Sequence, residues 1–255
     1  MEPQGLKIKN INKAVNGMRI VDNVTAAFLP GKITALIGPN GAGKTTLFHL
    51  ITGELKADTG RITYRGEDVT SLSPYRIARI GIGRLFQDVR VFDNLTVYEN
   101  VACACNDHRV ETPWFPFFNR KLLNSHNNEV NEKVNYYLDY VGLISMKESQ
   151  ASALSYGQQK LLAIARLLAR GFSLLLLDEP TAGLNTVMIK KVLIILENIV
   201  KDDNSKTIIL VEHNMGVVTD VADWVYFMNE GRIAFFGRTD HVLGDKEVKE
   251  IYLGL

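Results

Sequence analysis

With 255 residues, 22% of them charged, and a net charge of +1, the chain can hold one large domain or two small ones with a proper core. So even a balance argues against a nucleic-acid binder, which at this size would show a basic face and a high isoelectric point. Cys103 and Cys105 are the only cysteines; they exclude a disulfide framework, lack partners for a metal site, and read as reduced thiols of a cytosolic protein.

The opening Met1–Lys9 is polar and mixed, not a secretory leader. Leu6 and Ile8, then Ile20 to Phe28, predict two strands about the turn Asn16-Gly17, the second broken at Asp22 and Asn23. Pro30-Gly31 turns the chain into a third strand, Ile33, Ala35, Leu36, Ile37. Then comes Gly38-Pro39-Asn40-Gly41-Ala42-Gly43-Lys44-Thr45-Thr46, leading into the helical Leu47, Phe48, Leu50 and Ile51. Strand, G-x-x-x-x-G-K-[ST] and helix in that order are the context of a phosphate-binding loop. Gly38, Gly41 and Gly43 let the backbone take unusual dihedrals and approach a ligand closely. The loop N–H groups, continued by the helix N-terminus, cradle anionic oxygens. Lys44 adds a mobile positive charge for the β- and γ-phosphates, and the Thr45 hydroxyl suits a Mg²⁺ ligand. The chain is expected to bind a nucleoside triphosphate.

Arg61–Tyr64 predicts a short strand ended by Arg65-Gly66, and Ser73-Pro74 starts a helix through Ala78. Ile80–Phe86 reads as a strand with Gln87 just beyond it. The middle changes character: Val97–Cys105 looks helical, Trp114, Phe115, Phe117 and Phe118 crowd between prolines, and Val130, Val134, Tyr137, Leu138 and Val141 recur at helical spacing. This stretch reads as a mostly helical insertion. Its aromatic segment is either a small core or a surface packing on a membrane subunit or the lipid interface.

Beyond Ser155 the strand–helix alternation resumes. Gln158–Arg170 and Val187–Val200 read as helices, Leu174–Leu177 and Thr207–Val211 as strands, the former buried on both faces. Trp224–Met228 and Arg232–Phe236 flank the turn Asn229-Glu230-Gly231, and Val242–Leu253 looks like short helix. No apolar run reaches the roughly 20 residues needed to span a bilayer, so a membrane connection is expected through another chain. Leu174–Leu177 ends in Asp178-Glu179. Asp178 is placed to hold Mg²⁺ through its water shell, and Glu179, pointing elsewhere, to polarise an attacking water as general base.

Ala153–Ala169 (ALSYGQQKLLAIARLLA) followed by Leu174–Asn185 (LLLLDEPTAGLN) resembles the ATP-binding subunits of ABC transporters. The order matches throughout: phosphate loop, glutamine loop at Gln87, signature at Leu154–Gln158, metal-binding strand, switch histidine at His213. LSYGQQ, Gly183-Leu184-Asn185, Val211-Glu212-His213-Asn214-Met215, the long insert and the ending Glu250-Ile251-Tyr252-Leu253-Gly254 are most similar to branched-chain amino acid importer ATPases. The resemblance implies that Ser155, Gly157 and Gln158 contact the γ-phosphate held on a partner subunit's phosphate loop. It also implies that Gln87 touches Mg²⁺ and the attacking water, and that His213 contacts the γ-phosphate. Two departures stand out. Family members usually stack the adenine on an aromatic residue where this chain has Val15, and many carry Asp where this chain has Asn185. The implied fold is an α/β P-loop ATPase core with a mixed sheet, a small antiparallel β subdomain and a helical subdomain. Residues 1–89 and 166–255 form the core and 90–165 the helical signature part of a single domain. ATP and Mg²⁺ are the implied cofactors. The implied partners are membrane permease subunits and a homodimeric or heterodimeric ATPase mate, at the inner face of the cell membrane. Lipopolysaccharide export, against which the long insert argues, and a soluble role in iron–sulfur assembly are the alternatives.

Overall fold

A computed structural model describes residues 5–105 and 120–253. It divides into two compact units, residues 1–87 with 173–255, and residues 88–172. The aromatic segment Trp114–Phe118 lies outside the described residues.

In the first unit, β1 (Leu6–Val15), β2 (Met18–Phe28), β4 (Thr59–Tyr64) and β5 (Glu67–Asp68) form an antiparallel sheet in the order β2-β1-β4-β5. The expected break at Asp22-Asn23 is not there. Asn23 adopts a left-handed φ of 51°, and its N–H donates to the Asn12 side chain at 2.8 Å. The two polar residues thus mark a bulge inside one continuous strand. Arg65-Gly66, with φ of 51° and 85°, does not end the sheet but turns it into β5.

The second sheet has the order β10-β9-β3-β8-β7-β6, from β3 (Lys32–Ile37), β6 (Ile82–Leu85), β7 (Leu174–Asp178), β8 (Thr207–Val211), β9 (Trp224–Asn229) and β10 (Arg232–Arg238). Every neighbouring pair is parallel except β9–β10. Such strands are covered on both faces, which accounts for the uninterrupted apolar runs: every residue of β7 and β8 is buried. Helices α1 (Lys44–Ile51), α2 (Pro74–Arg79), α6 (Thr186–Asp202), α7 (Met215–Val221), α8 (Thr239–Gly244) and α9 (Lys246–Leu253) complete this unit. Tyr226 ties the two sheets, its hydroxyl bonded to both the N–H and the carbonyl of Ala27 at 2.9 and 3.0 Å. Because β6, β7, β8 and β3 run parallel side by side, their carboxyl ends meet at one edge, where open α/β sheets bind ligands.

The second unit packs α3 (Val97–Ala102), α4 (Arg120–Tyr140) and α5 (Tyr156–Arg170) on one another. Val97, Val101, Val134, Leu138 and Val141 are fully buried, so the spacing read from the sequence does mark a core face. Asn100, equally buried, accepts from Phe92 N–H at 2.9 Å and donates to the Phe92 and Thr96 carbonyls at 3.0 Å, shaping the preceding loop. Cys103 and Cys105 are free thiols. No helix among the described residues is long and apolar enough to cross a membrane.

Candidate functional site

The loop Gly38–Gly43 leaves β3 and enters α1 through Gly43, whose φ is 100°. Glycine is required at both ends. A Cβ on Gly38 (φ 149°) would stand 1.9 Å from the Met228 carbonyl oxygen, and one on Gly43 2.5 Å from that of Ile20. Lys44 is buried, and its Nζ donates to the carbonyls of Gly38 and Pro39 at 2.8 and 3.0 Å. Burial pushes the Lys44 ammonium down from its ordinary range, while the nearby Glu179 and Asp178 carboxylates oppose the shift. A cavity of about 290 Å³ opens here, lined by Ile20, Asn40, Gly41, Gly43, Lys44, Thr45, Thr46, Glu179, Val211 and His213. Lys44 at an open helix N-terminus gives it the character of an anion site.

Three other strand ends complete the edge. Asp178 closes β7 and Glu179 follows in the left-handed region at φ 47°, a conformation that costs a non-glycine residue about 1–3 kcal/mol and clusters at functional positions. The turn re-aims the Glu179 side chain away from that of Asp178. Its Oε1 lies 3.1 Å from His213 Nε2, just past β8. Its Oε2 accepts from Gln87 Nε2, just past β6, at 3.2 Å. Gln87, Glu179 and His213 therefore meet at the ends of β6, β7 and β8.

Asp178 takes a different partner. Its Oδ2 accepts from Arg84 Nη2 at 2.8 Å, with both side chains 6% exposed. Arg84 also donates to both oxygens of Glu54 at 3.3 Å and lies over the Phe86 ring at 4.9 Å. Sequence reasoning gave Arg84 no role, although a lone cation in the apolar run Ile80–Phe86 was a signal. In the sequence Glu212 stands out only as part of Val211-Glu212-His213-Asn214-Met215. It is 3% exposed, and its Oε1 accepts from Thr181 N–H at 2.9 Å and Thr181 Oγ1 at 2.8 Å. Burial pushes the Glu212 carboxyl up, and those bonds hold it down. This pair fastens the turn carrying Glu179 to the segment carrying His213.

The remaining expected residues lie elsewhere. Ser155 caps α5 in the second unit, in a capping box with Gln158: Ser155 N–H donates to Gln158 Oε1 at 2.9 Å and its Oγ accepts from Gln158 N–H at 3.4 Å. Ser155 is exposed at that helix N-terminus, and Gly157 beside it is buried. Val15 stands at the tip of the β1–β2 hairpin opposite Met18 and is 40% exposed. Ile20, not Val15, lines the cavity wall. Asn185 caps α6, its Oδ1 accepting from Met188 N–H at 2.9 Å. A larger cavity, about 1030 Å³, lies between β1, β2 and β10, but its charged groups satisfy one another: Lys13 pairs with Asp58 at 2.7 Å, and Arg19 with Asp22 at 3.1 Å. No cluster of three or more histidine, cysteine or acidic residues able to hold a metal occurs among the described residues. The oxygens at the site (Thr45 hydroxyl, Gln87 amide, the second oxygen of Asp178) fit Mg²⁺, which keeps several waters and takes one or two carboxylates plus substrate phosphates.

A family model described as ABC transporter matches residues 21–182. The chain is 34% identical over 255 residues to the high-affinity branched-chain amino acid transport ATP-binding protein LivG of Escherichia coli K12, covering 98% of this chain and 97% of that protein. It is 31% identical over 252 residues to the lipopolysaccharide export system ATP-binding protein LptB of Haemophilus influenzae, with coverage of 98% and 97%. A crystal structure of a nucleotide-free ATP-binding cassette from an ABC transporter superposes with a TM-score of 0.83 at 31% identity, covering 98% of this chain and 99% of that one.

Proposed function

This chain belongs to the ABC transporter family as an ATP-hydrolysing, ATP-binding subunit, and from that premise we propose that it powers a branched-chain amino acid-type importer. The observation that carries the reading is the meeting of phosphate loop, Gln87, Asp178-Glu179 and His213 at the carboxyl ends of four adjacent parallel strands. Match to LivG over nearly the whole chain supports the substrate class. Similarity to LptB at comparable coverage keeps lipopolysaccharide export as the second reading.

In this reading ATP lies on the cradle of Gly38, Pro39, Asn40, Gly41, Ala42, Gly43, Lys44, Thr45 and Thr46. Lys44 neutralises the β- and γ-phosphates. Thr45, Gln87 and Asp178 are the residues that would hold Mg²⁺, which when bound screens the charge of the β- and γ-oxygens. Arg84 donates to one oxygen of Asp178, and the other oxygen would serve the ion. Glu179 is the general base: it takes the proton of the attacking water, a contribution of about 10²–10⁴-fold. His213 and Gln87, which bracket the Glu179 carboxylate, orient the water and the γ-phosphate. If Val15 takes the place of the family's base-stacking aromatic residue, it offers the adenine no ring to stack on, and the base is held by weaker contacts.

Ser155, Gly157 and Gln158 offer a hydroxyl and helix-terminal N–H groups to a γ-phosphate, and serve the phosphate loop of a second ATPase chain, a copy or a related one. The two units act as parts of a single domain, with residues 1–87 and 173–255 as the core and 88–172, rather than 90–165, as the signature part. The complex works at the inner face of the membrane, attached through permease subunits.

Co-expression with a branched-chain amino acid permease pair tests this. Co-purification with the permeases, and ATP turnover stimulated by the amino-acid-loaded binding protein, is the expected result. Turnover that responds only to a lipopolysaccharide-export permease pair would support the second reading. A chain that ignores both and purifies with soluble scaffold proteins would overturn the transporter assignment in favour of iron–sulfur assembly.

A further inference from the structure

His213 has two neighbours besides Glu179 that restrict it. Its main chain lies between the end of β8 and Asn214, whose Oδ1 caps α7 by accepting from Gly216 N–H at 3.0 Å. Its other neighbour comes from the far end of the chain. Helix α9 is held by Val248, 2% exposed, and by Asp245, whose Oδ1 accepts from Glu247 N–H at 2.8 Å. The last turn of that helix carries Tyr252 to the strand-end edge. There the Tyr252 hydroxyl donates to the His213 carbonyl oxygen at 3.0 Å and lies 3.5 Å from His213 Nδ1.

We infer that Tyr252 is a positioning residue for ATP hydrolysis, clamping the His213 main chain and ring so that its Nε2 faces Glu179. The inference rests on the reading of His213 as the residue that orients water and γ-phosphate. The imidazole side chain is 40% exposed, so surrounding packing alone leaves its rotation open. The hydroxyl on one side and the Glu179 carboxylate 3.1 Å away on the other define one orientation. Burial pushes the Tyr252 phenol up, and the Glu212 and Glu179 carboxylates push it further, which keeps the hydroxyl a donor at every working pH.

Tyr252→Phe removes the hydroxyl and keeps the ring. ATP turnover of the full chain is expected to fall roughly three- to tenfold, the effect of one lost hydrogen bond, with ATP affinity and melting temperature nearly unchanged. The His213 ring signals in a ¹⁵N-detected spectrum should shift or broaden. In a His213→Ala background the same substitution should have no further effect on turnover. Parent-like turnover in Tyr252→Phe, alongside a strongly impaired His213→Ala, would overturn the inference. So would an equal loss in the His213→Ala background, since the hydroxyl would then act by another route. Full turnover in His213→Ala would instead overturn the reading of His213 beneath it.

Discussion

Replacing Thr181 by valine removes one hydroxyl from a site where both partners are enclosed. Glu212 and Thr181 are 3% and 4% exposed, and the carboxylate oxygen loses the donor 2.8 Å away while keeping the N–H at 2.9 Å. A hydrogen bond to a charged group contributes about 1.5–3 kcal/mol. At about 2–4 °C per kcal/mol for a chain of this size, the melting temperature should fall by about 3–12 °C. The pH dependence has a definite sign. Burial raises the Glu212 carboxyl, and the Thr181 bonds lower it, so the substitution raises it further. A carboxyl raised in the folded state carries no penalty below its ordinary value of 4.5, and stability is lost as pH climbs from there through the folded-state value. The deficit should therefore be small in acid and grow toward neutrality. Thermal melts of parent, Thr181→Val, Glu212→Gln and the double variant, at about pH 4 and about pH 7.5, measure it. In the Glu212→Gln background the hydroxyl faces a neutral amide, and its loss should cost only about 0.5–1.5 kcal/mol. A deficit under about 0.5 kcal/mol at neutral pH, or one larger in acid than at neutrality, would refute the claim that a buried charge is held there.

Arg84→Met should destabilise by about 3–5 kcal/mol in urea titration, because it removes the cation hydrogen-bonded to the buried Asp178 carboxylate. Asn185→Ala should cost about 1 kcal/mol by loss of the α6 cap, whereas Asn185→Asp should gain about 0.3–1 kcal/mol from a negative charge at that helix N-terminus; thermal melts distinguish them. Ser155→Arg should abolish ATP-dependent dimer sedimentation and turnover while ATP binding by the monomer persists, and loss of that binding would contradict a signature that serves the second chain.

The strands that frame the site were legible because a doubly covered parallel strand needs an apolar run: β7 and β8 match the reading of Leu174–Leu177 and Thr207–Val211 to within a residue. The phosphate loop was legible because glycine spacing and Lys44 carry the chemistry locally. Contacts between distant strand ends were not. Arg84 and Asp178 lie 94 residues apart in sequence, and Thr181 and Glu212 31, so only the strand order brings them together. Asp22-Asn23 misled, because polar residues at a bulge look like a strand break until the left-handed φ of Asn23 is seen. The helix Met215–Val221 escaped notice for want of length, although Asn214 is the kind of residue that caps a helix.

The central claim is that Glu179 takes the proton of the attacking water. Steady-state phosphate release by Glu179→Gln at saturating ATP and Mg²⁺ measures it most directly, with nucleotide binding followed in parallel. The account predicts binding at least as tight as in the parent, because an amide does not repel the γ-phosphate, and turnover lowered by at least about 10². Turnover within about threefold of the parent, far short of what the loss of a general base costs, would contradict it.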